Sequence, residues 1–201
     1  MRNGDSTRSG PPDAFGSPYR LLSGAVTPRP IAWVSSCGPA GENLAPYSFF
    51  TVAAVEPPVV AFAPVSTLEE PKDTLRNAVE TEAFAVNLAS VALAEEMNAS
   101  SATLPPTESE FAHAGLAPAE CERVDAPRVS DAPVSLECEL FDVVPVGTST
   151  MVFGEVVHVH VDDGLLAGDG KFDVTDYDPV GRLAGNWYAT TRDRFELERP
   201  P

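Results

Sequence analysis

Five short apolar runs, separated by proline-rich and polar segments, limit the folds that this chain can adopt. Runs of this length with period-two alternation are typical of β-strands, and prolines are tolerated at strand ends rather than in strand interiors. The fourth run alternates apolar with polar side chains, which predicts a strand with one buried face and one solvent face. The predicted strands are residues 31–36, 59–65, 84–88, 134–140 and 151–161.

Two segments have helical spacing instead. Residues 71–81 begin with a proline, carry Asp73 in the first turn and place Leu75, Ala78 and Val79 at helical intervals. Residues 92–100 form a weaker second helix. Residues 103–133 are polar and proline-rich, and a connection of this length carries function or covers a sheet edge. Many strands with few helices predict a small β-barrel with helical decoration.

Composition places the chain among single-domain globular proteins. It has 201 residues, of which 43% are hydrophobic and 21% charged. Residues 1–18 lack the apolar centre of a signal peptide, so we predict a flexible tail followed by one domain at residues 19–201. No run approaches the roughly 20 apolar residues that a membrane span needs. Three unevenly spaced cysteines argue against a disulfide framework, and we expect a cytoplasmic protein.

The formal charge of −17 is the least ordinary property of the sequence. A surface this acidic repels nucleic acid and anionic membranes, so we exclude both as partners. One interpretation is a halophilic-type surface adapted to a salty cytoplasm, where screening weakens the self-repulsion. The alternative is a GC-rich genome that favours arginine; it explains why Lys72 and Lys171 are the only lysines, but not the excess of acids.

Lys72, Asp73 and Thr74 stand at the start of the first predicted helix. Backbone N–H groups are unpaired there and the helix dipole is positive, so the position can bind an anion such as a phosphate. A capped surface helix with a solvated lysine is the plainer interpretation of the same residues.

Arg29 is held between Pro28 and Pro30. The prolines fix an extended backbone and remove two N–H donors, which predicts that the remaining donors and the guanidinium are free to face a ligand. An exposed arginine at a strand entry is the alternative.

His158 and His160 lie two residues apart on a predicted strand, a spacing that can direct two imidazoles to one metal, with Asp162 on the same face. A third and a fourth ligand are not evident nearby in the sequence, so two partly exposed strand histidines are the preferred interpretation, and we predict no metal site. A nucleophile elbow and a Gly-x-Gly-x-x-Gly fingerprint are both lacking in the sequence, and no catalytic side chain is predicted.

Four motifs occur in order and together indicate a family. They are YRLLSGAVTPRPIAWVSS, NLAPYSFF, PKDTLRNAV followed by FAVNL, and DPVGRLAGNWYA. From about residue 19 to residue 200, the chain resembles the flavin reductase-like proteins of the FMN-binding split-barrel superfamily. Its relatives are the flavoredoxins and the reductase components of two-component monooxygenases.

The resemblance implies a mainly β fold, a six-stranded antiparallel split β-barrel of Greek-key type with a few short helices. It also implies a homodimer that binds FMN near the subunit interface. The residues that match the family's cofactor-binding motifs are Arg29 and Pro30 alongside the flavin, Ala45, Pro46, Ser48 and Phe49 under the isoalloxazine ring, Lys72, Asp73 and Thr74 at the phosphate, and Asn186 and Tyr188 in the terminal segment.

The function that follows from the resemblance is an FMN-binding oxidoreductase, an NAD(P)H-dependent flavin reductase that passes hydride from nicotinamide to flavin. It would serve an oxygenase or another electron-transfer protein. Two alternatives stay open at this point: a flavoredoxin-like electron carrier that receives electrons from a protein partner, and a non-catalytic FMN-binding protein.

Overall fold

The computed structural model describes residues 7–105 and 107–200. The strands are Ala32–Gly38 (β1), Gly41–Tyr47 (β2), Phe50–Val55 (β3), Pro58–Phe62 (β4), Ala83–Leu88 (β5), Pro118–Glu120 (β6), Pro127–Val129 (β7), Val134–Val146 (β8), Ser149–Val161 (β9), Val180–Arg182 (β10) and Tyr188–Thr190 (β11). The α-helices are Pro18–Ala25 (α1), Asp73–Thr81 (α2), Ala94–Ala99 (α3) and Glu110–Ala114 (α4), and 3-10 helices span Pro12–Phe15, Val91–Leu93 and Asp163–Leu165.

Seven strands form one antiparallel sheet in the order β2-β1-β5-β8-β9-β4-β3. The long hairpin β8–β9 lies in its middle and joins two earlier pieces, β2-β1-β5 on one side and β4-β3 on the other. Two further antiparallel pairs, β6–β7 and β10–β11, lie outside this sheet.

Two clusters of buried apolar side chains fill the interior. One lies between the sheet and α2 and includes Phe62, Phe84 and Leu75, with the rings of Phe62 and Phe84 edge to face at 5.5 Å. The other centres on Trp33 and includes Met97 of α3 and residues of α4 and β7. Trp33 is fully buried, and its indole N–H donates a 2.8 Å hydrogen bond to Ser100. This second cluster fixes the segment after α3 against β1.

The mainly β prediction is confirmed, with an antiparallel sheet and few short helices. The strand count was wrong, because the main sheet has seven strands rather than six. Sequence patterns also missed β2 and β3 as strands. Pro46 lies inside β2, which is an edge strand and therefore one of the places in a sheet where a proline's missing N–H is tolerated.

Both predicted helices are present, as α2 and as the 3-10 turn that leads into α3. Residues 1–6 of the predicted flexible tail lie outside the described residues, and the rest of that tail includes the 3-10 helix at Pro12–Phe15. The described helices include none that is both long and apolar enough to cross a membrane.

Glu137 departs from the alternation that predicted it on the solvent face of its strand. Its side chain is wholly buried. The loop before β7 folds over this face of β8, and the backbone N–H groups of residues 122–124 donate to the carboxylate at 2.7–3.2 Å. A buried carboxylate of this kind is stabilised by hydrogen bonds to its charged form, which period-two patterning cannot detect.

Candidate functional site

A groove runs along Pro46 of β2, between this strand and the segment that follows α3. Pro46 and Ser101 border both halves of the groove, whose cavity volumes are about 280 Å³ and 200 Å³. We call these halves the α2 end and the Tyr188 end. The α2 end is lined by Asn43, Ala45, Pro46, Tyr47, Lys72, Asp73, Thr74, residues 100–104 and Glu110; the Tyr188 end is lined by Tyr19, Ile31, Pro46, Ser48, Met97, Asn98, Ser101, Arg182 and Tyr188.

Helix α2 points its N-terminus into the α2 end of the groove. The first intrahelical hydrogen bond runs from the Arg76 N–H to the Lys72 carbonyl, and no side chain caps the helix. The N–H groups of Asp73, Thr74 and Leu75 therefore have no acceptor among the described residues. Together with the exposed Lys72 side chain, these donors form a site of positive potential that suits an anion.

A chain of side-chain hydrogen bonds joins this helix start to β2. The buried Thr74 hydroxyl accepts from the Tyr47 hydroxyl at 2.8 Å and donates to the Asn43 side-chain oxygen. Burial raises the pKa of Tyr47 to about 12, so its hydroxyl keeps the proton that it donates. The Thr74 side chain thus positions the helix, and its backbone N–H is the donor that faces the groove.

Glu110 brings a carboxylate to the same end of the groove, where it accepts a 3.3 Å hydrogen bond from the Leu44 N–H. Burial raises the pKa of Glu110, and the nearby charge of Asp73 raises it further. When they are ionised, the carboxylates of Asp73 and Glu110 weaken the positive potential at the start of α2.

The Tyr188 end is the more aromatic half, with Tyr19 and Tyr188 on its wall. The hairpin β10–β11 carries Arg182 and Tyr188 as a cross-strand pair, and the Arg182 guanidinium lies over the Tyr188 ring at 4.5 Å. The Tyr188 hydroxyl donates a 3.1 Å hydrogen bond to Asn98 of α3. This hydrogen bond joins β11 to α3 at the border of the groove, although the two residues are 90 positions apart in the chain.

Arg29 does not have the free guanidinium that the flanking prolines suggested. The residue is buried, and its guanidinium donates to the carbonyl oxygens of Ser23, Val26 and Leu183, the last two at 2.8 and 2.9 Å. Its backbone also pairs with Arg182 in both directions. The guanidinium thus satisfies carbonyl groups at the C-terminal end of α1 and just after β10, and its Nε donates to the Ser48 hydroxyl at 3.4 Å. Arg29 therefore stands behind the groove and not in it.

The structure brings most of the predicted cofactor residues together. Those that line the groove are Ala45, Pro46, Ser48, Lys72, Asp73, Thr74 and Tyr188. Arg29 and Pro30 instead line an apolar cavity of about 310 Å³ beside β10, which shares only Ile31 with the lining of the groove. Phe49 is partly exposed under the Arg29 guanidinium, with 5.9 Å from its ring centre to Arg29 Cζ. Asn186 is exposed in the turn between β10 and β11, outside the groove.

Several groove residues were missed by sequence reasoning. Asn43 and Tyr47 lie two residues before and two residues after Ala45, which the family motif predicted as a cofactor residue. In a strand, residues two apart share a face, so recognising β2 as a strand would have identified both. Glu110 belongs to the long polar connection that was expected to carry function or cover an edge. Asn98 and Ser101 gave no signal, because the fold alone brings the end of α3 to the groove.

Comparison with known proteins settles the family. The model of the flavin reductase-like domain matches residues 23–176. The chain belongs to the flavin reductase-like family. The protein is therefore a flavin-related oxidoreductase. The matched residues include the whole lining of the groove except Tyr19, Arg182 and Tyr188.

Solved structures agree with this assignment. Nitrilotriacetate monooxygenase component B from Bacillus cereus is 34% identical, with a TM-score of 0.91 over 96% of this chain and 100% of that one. The 2-nitrobenzoate 2-nitroreductase NbaA from Pseudomonas fluorescens is also 34% identical, with a TM-score of 0.82 over 91% and 90% of the two chains. A putative flavin reductase with a split barrel domain from Shewanella frigidimarina, 23% identical over 90% of each chain, has a TM-score of 0.78 and supports the split-barrel fold.

Proposed function

We propose that this protein binds FMN in the Pro46 groove and acts as an NAD(P)H-dependent flavin reductase. One observation carries the proposal: the two halves of the groove meet at Pro46 and Ser101 and so place an uncapped helix start in line with an aromatic wall that includes Tyr19 and Tyr188. FMN has the same division, with a phosphate at one end and a planar ring system at the other. The flavin reductase-like family supplies the chemical context.

Each end of the groove has a distinct task in this proposal. The N–H groups of residues 73–75 and the Lys72 ammonium bind the phosphate. The backbone of β2 around Pro46 and the Ser48 hydroxyl lie along the ring system, and Tyr188 borders its far edge. Bound flavin supplies the hydride-accepting atom, and the chain's part is to hold the ring so that a nicotinamide can approach to about 3–3.5 Å. Such a transfer needs no side-chain acid or base.

The proposed active form is a homodimer. Strand β3 is one edge of the sheet, and its outward side chains Val52 and Val55 are 67% and 86% exposed. An open, apolar edge strand has unpaired backbone groups and attracts another chain. A second copy of this chain would cover that edge by an isologous contact, the commonest arrangement in oligomers. Light scattering of the FMN-loaded protein at twice the chain mass is the expected result, and a loaded monomer would contradict it.

The setting follows from the same proposal. The Bacillus cereus relative is named as a monooxygenase component, and we propose that this chain likewise supplies reduced flavin to an oxygenase or another electron acceptor in the cytoplasm. We propose no nucleic-acid or membrane partner, because the net charge of −17 disfavours binding to either polyanionic surface.

The deciding experiment is anaerobic reduction. Purified protein loaded with FMN is mixed with NADH and, separately, with NADPH, and the visible absorbance of oxidised flavin is followed. Loss of that absorbance at turnover rates supports the reductase. If neither nicotinamide reduces bound FMN while a chemical reductant does, the reductase proposal is wrong, and the protein is an electron carrier or a non-catalytic FMN-binding protein. If the protein takes up no FMN, the proposed function is wrong.

A further inference from the structure

Glu137, His158 and His160 meet on the β8–β9 pair and share no residue with the Pro46 groove. Glu137 is opposite His158 across the two strands, and His160 follows on the same face two residues later. The register of the pair shifts just after Glu137, so the strand is irregular at this point. Irregularities of this kind re-aim side chains, and they are over-represented beside functional sites.

The carboxylate of Glu137 is held in place before any ligand arrives. Both of its oxygens accept backbone N–H groups from residues 122–124, and Oε1 also contacts His160 Nε2 at 2.6 Å. The side chain is fully buried, so it cannot rotate away into solvent. The site therefore contains a fixed, hydrogen-bonded carboxylate, and rigid support of this kind is what metal ligands require.

The two imidazoles complete a set of three donors. Their ring centres are 5.0 Å apart and edge to face, and one ligand atom from each of the three residues lies within 4.8 Å of the others. His160 also borders an open polar cavity of about 620 Å³ with Asp131 and Asp162 on its wall. This cavity gives an ion a path to the site and leaves room for water.

We propose that Glu137, His158 and His160 bind one divalent transition-metal ion of the zinc class. Two imidazoles and one carboxylate match the donor preference of such an ion, and water from the cavity fills the remaining position. The ion takes the position between Glu137 Oε1 and His160 Nε2. A neutral His160 binds it through the Nε2 lone pair and carries its single ring hydrogen on Nδ1, so the exchange needs no net release of a proton.

Binding requires a small local movement. Two ligands of a tetrahedral zinc ion, each at about 2.0–2.1 Å from the metal, lie about 3.3 Å apart. The present 2.6 Å contact between Oε1 and Nε2 must therefore widen by about 0.7 Å. His160 can make this movement because its side chain is 22% exposed, whereas Glu137 stays fixed. The bound ion would join β8 and β9 to the loop at residues 122–124.

The test is Zn²⁺ titration of tag-free, chelator-washed protein by calorimetry, in a Cys37→Ser, Cys121→Ser background that removes the thiols not fully buried. We expect one Zn²⁺ per chain and a higher melting temperature in its presence. His158→Gln and His160→Gln should each weaken binding by about a hundredfold, at least as much as loss of a residue that only supports a ligand. Co²⁺ at the same site should give visible absorption bands.

The chain supplies its own control, because His113 is the only other histidine and is exposed on α4. His113→Gln should bind Zn²⁺ like the parent protein. Should His160→Gln fail to fold, His158→Gln decides, since its ring makes no hydrogen bond to Glu137 in the structure described. No stoichiometric binding, weak binding at several surface carboxylates, or equal binding by His158→Gln and the parent would overturn the proposal.

Discussion

The Tyr47 hydroxyl donates a 2.8 Å hydrogen bond to the Thr74 hydroxyl and so joins β2 to the first turn of α2. Tyr47→Phe removes the donor and keeps the ring. Because a net hydrogen bond contributes about 1 kcal/mol, the flavin-free variant should lose about that much free energy of unfolding, measured by urea denaturation. Tyr177→Phe is the control, since the Tyr177 hydroxyl has no partner among the described residues. Equal losses in both variants would show that the bond contributes nothing.

Lys72→Ala should weaken FMN binding about tenfold to a hundredfold, because a charge-assisted phosphate hydrogen bond contributes roughly 1.5–3 kcal/mol. Riboflavin lacks the phosphate, and its affinity should hardly change. Lys171→Ala is the matched control, as the other lysine is exposed and pairs with Asp169 at 2.6 Å. Fluorescence titration with both flavins measures the difference. A parallel loss of riboflavin and FMN affinity would place the lysine away from the phosphate.

Glu110→Gln should strengthen FMN binding by about threefold to tenfold wherever Glu110 is ionised, since it removes about 1 kcal/mol of repulsion toward the phosphate. The pKa of this carboxyl is raised, chiefly by burial. As the pH falls through that raised pKa, wild-type Glu110 gains a proton, so the affinity ratio between variant and wild type should approach one. Glu108→Gln, an exposed carboxylate two residues earlier, should change FMN affinity little. A ratio that does not vary with pH would exclude the charge of Glu110 as the cause.

Arg29→Lys should destabilise the protein by about 1–3 kcal/mol. A lysine ammonium lacks the planar fork that reaches the carbonyl groups of Ser23, Val26 and Leu183 together, so buried acceptors are left unpaired. Arg20→Lys, on the exposed side of α1, should have almost no effect on the free energy of unfolding. If Arg29→Lys instead leaves stability intact and changes only the flavin reduction potential, the arginine acts on the cofactor.

The melting temperature should rise with KCl well beyond 1 M. The chain has thirty acidic residues and only thirteen lysines and arginines. The Debye length falls from about 10 Å at 0.1 M salt to about 3 Å at 1 M. Screening at these concentrations relieves repulsion between surface carboxylates. Calorimetry across a KCl series measures the trend, and a flat curve would favour genome composition as the origin of the unusual charge.

Sequence patterns predicted those parts of the fold in which the environment of a residue is set by the residues next to it in the sequence. The starts of β5 and α2 were located within one or two residues, because apolar periodicity and a proline at the helix start are local signals. β2 and β3 were missed because an edge strand may contain a proline and expose its apolar side chains.

The candidate site was predictable to the extent that it lies within short motifs. Lys72 and Pro46 follow from such motifs and do line the groove. The partners of Arg29 could not be predicted, since Leu183 is 154 residues away. The burial of Glu137 likewise depends on a loop that folds over β8 from outside the strand pattern. Long-range contacts of this kind are set by topology and not by local spacing.

The central position of the β8–β9 hairpin has a consequence for biosynthesis. Strands β4 and β5 each need a neighbour that is made only after residue 133, so a nascent chain that ends earlier has two open sheet edges in addition to β2 and β3, which are edges in the finished sheet. At about 5–20 residues per second, the interval between Leu88 and Val134 lasts about 2–9 s. During this time the growing polypeptide is most prone to pair with other chains, and chaperones have their greatest opportunity to bind it.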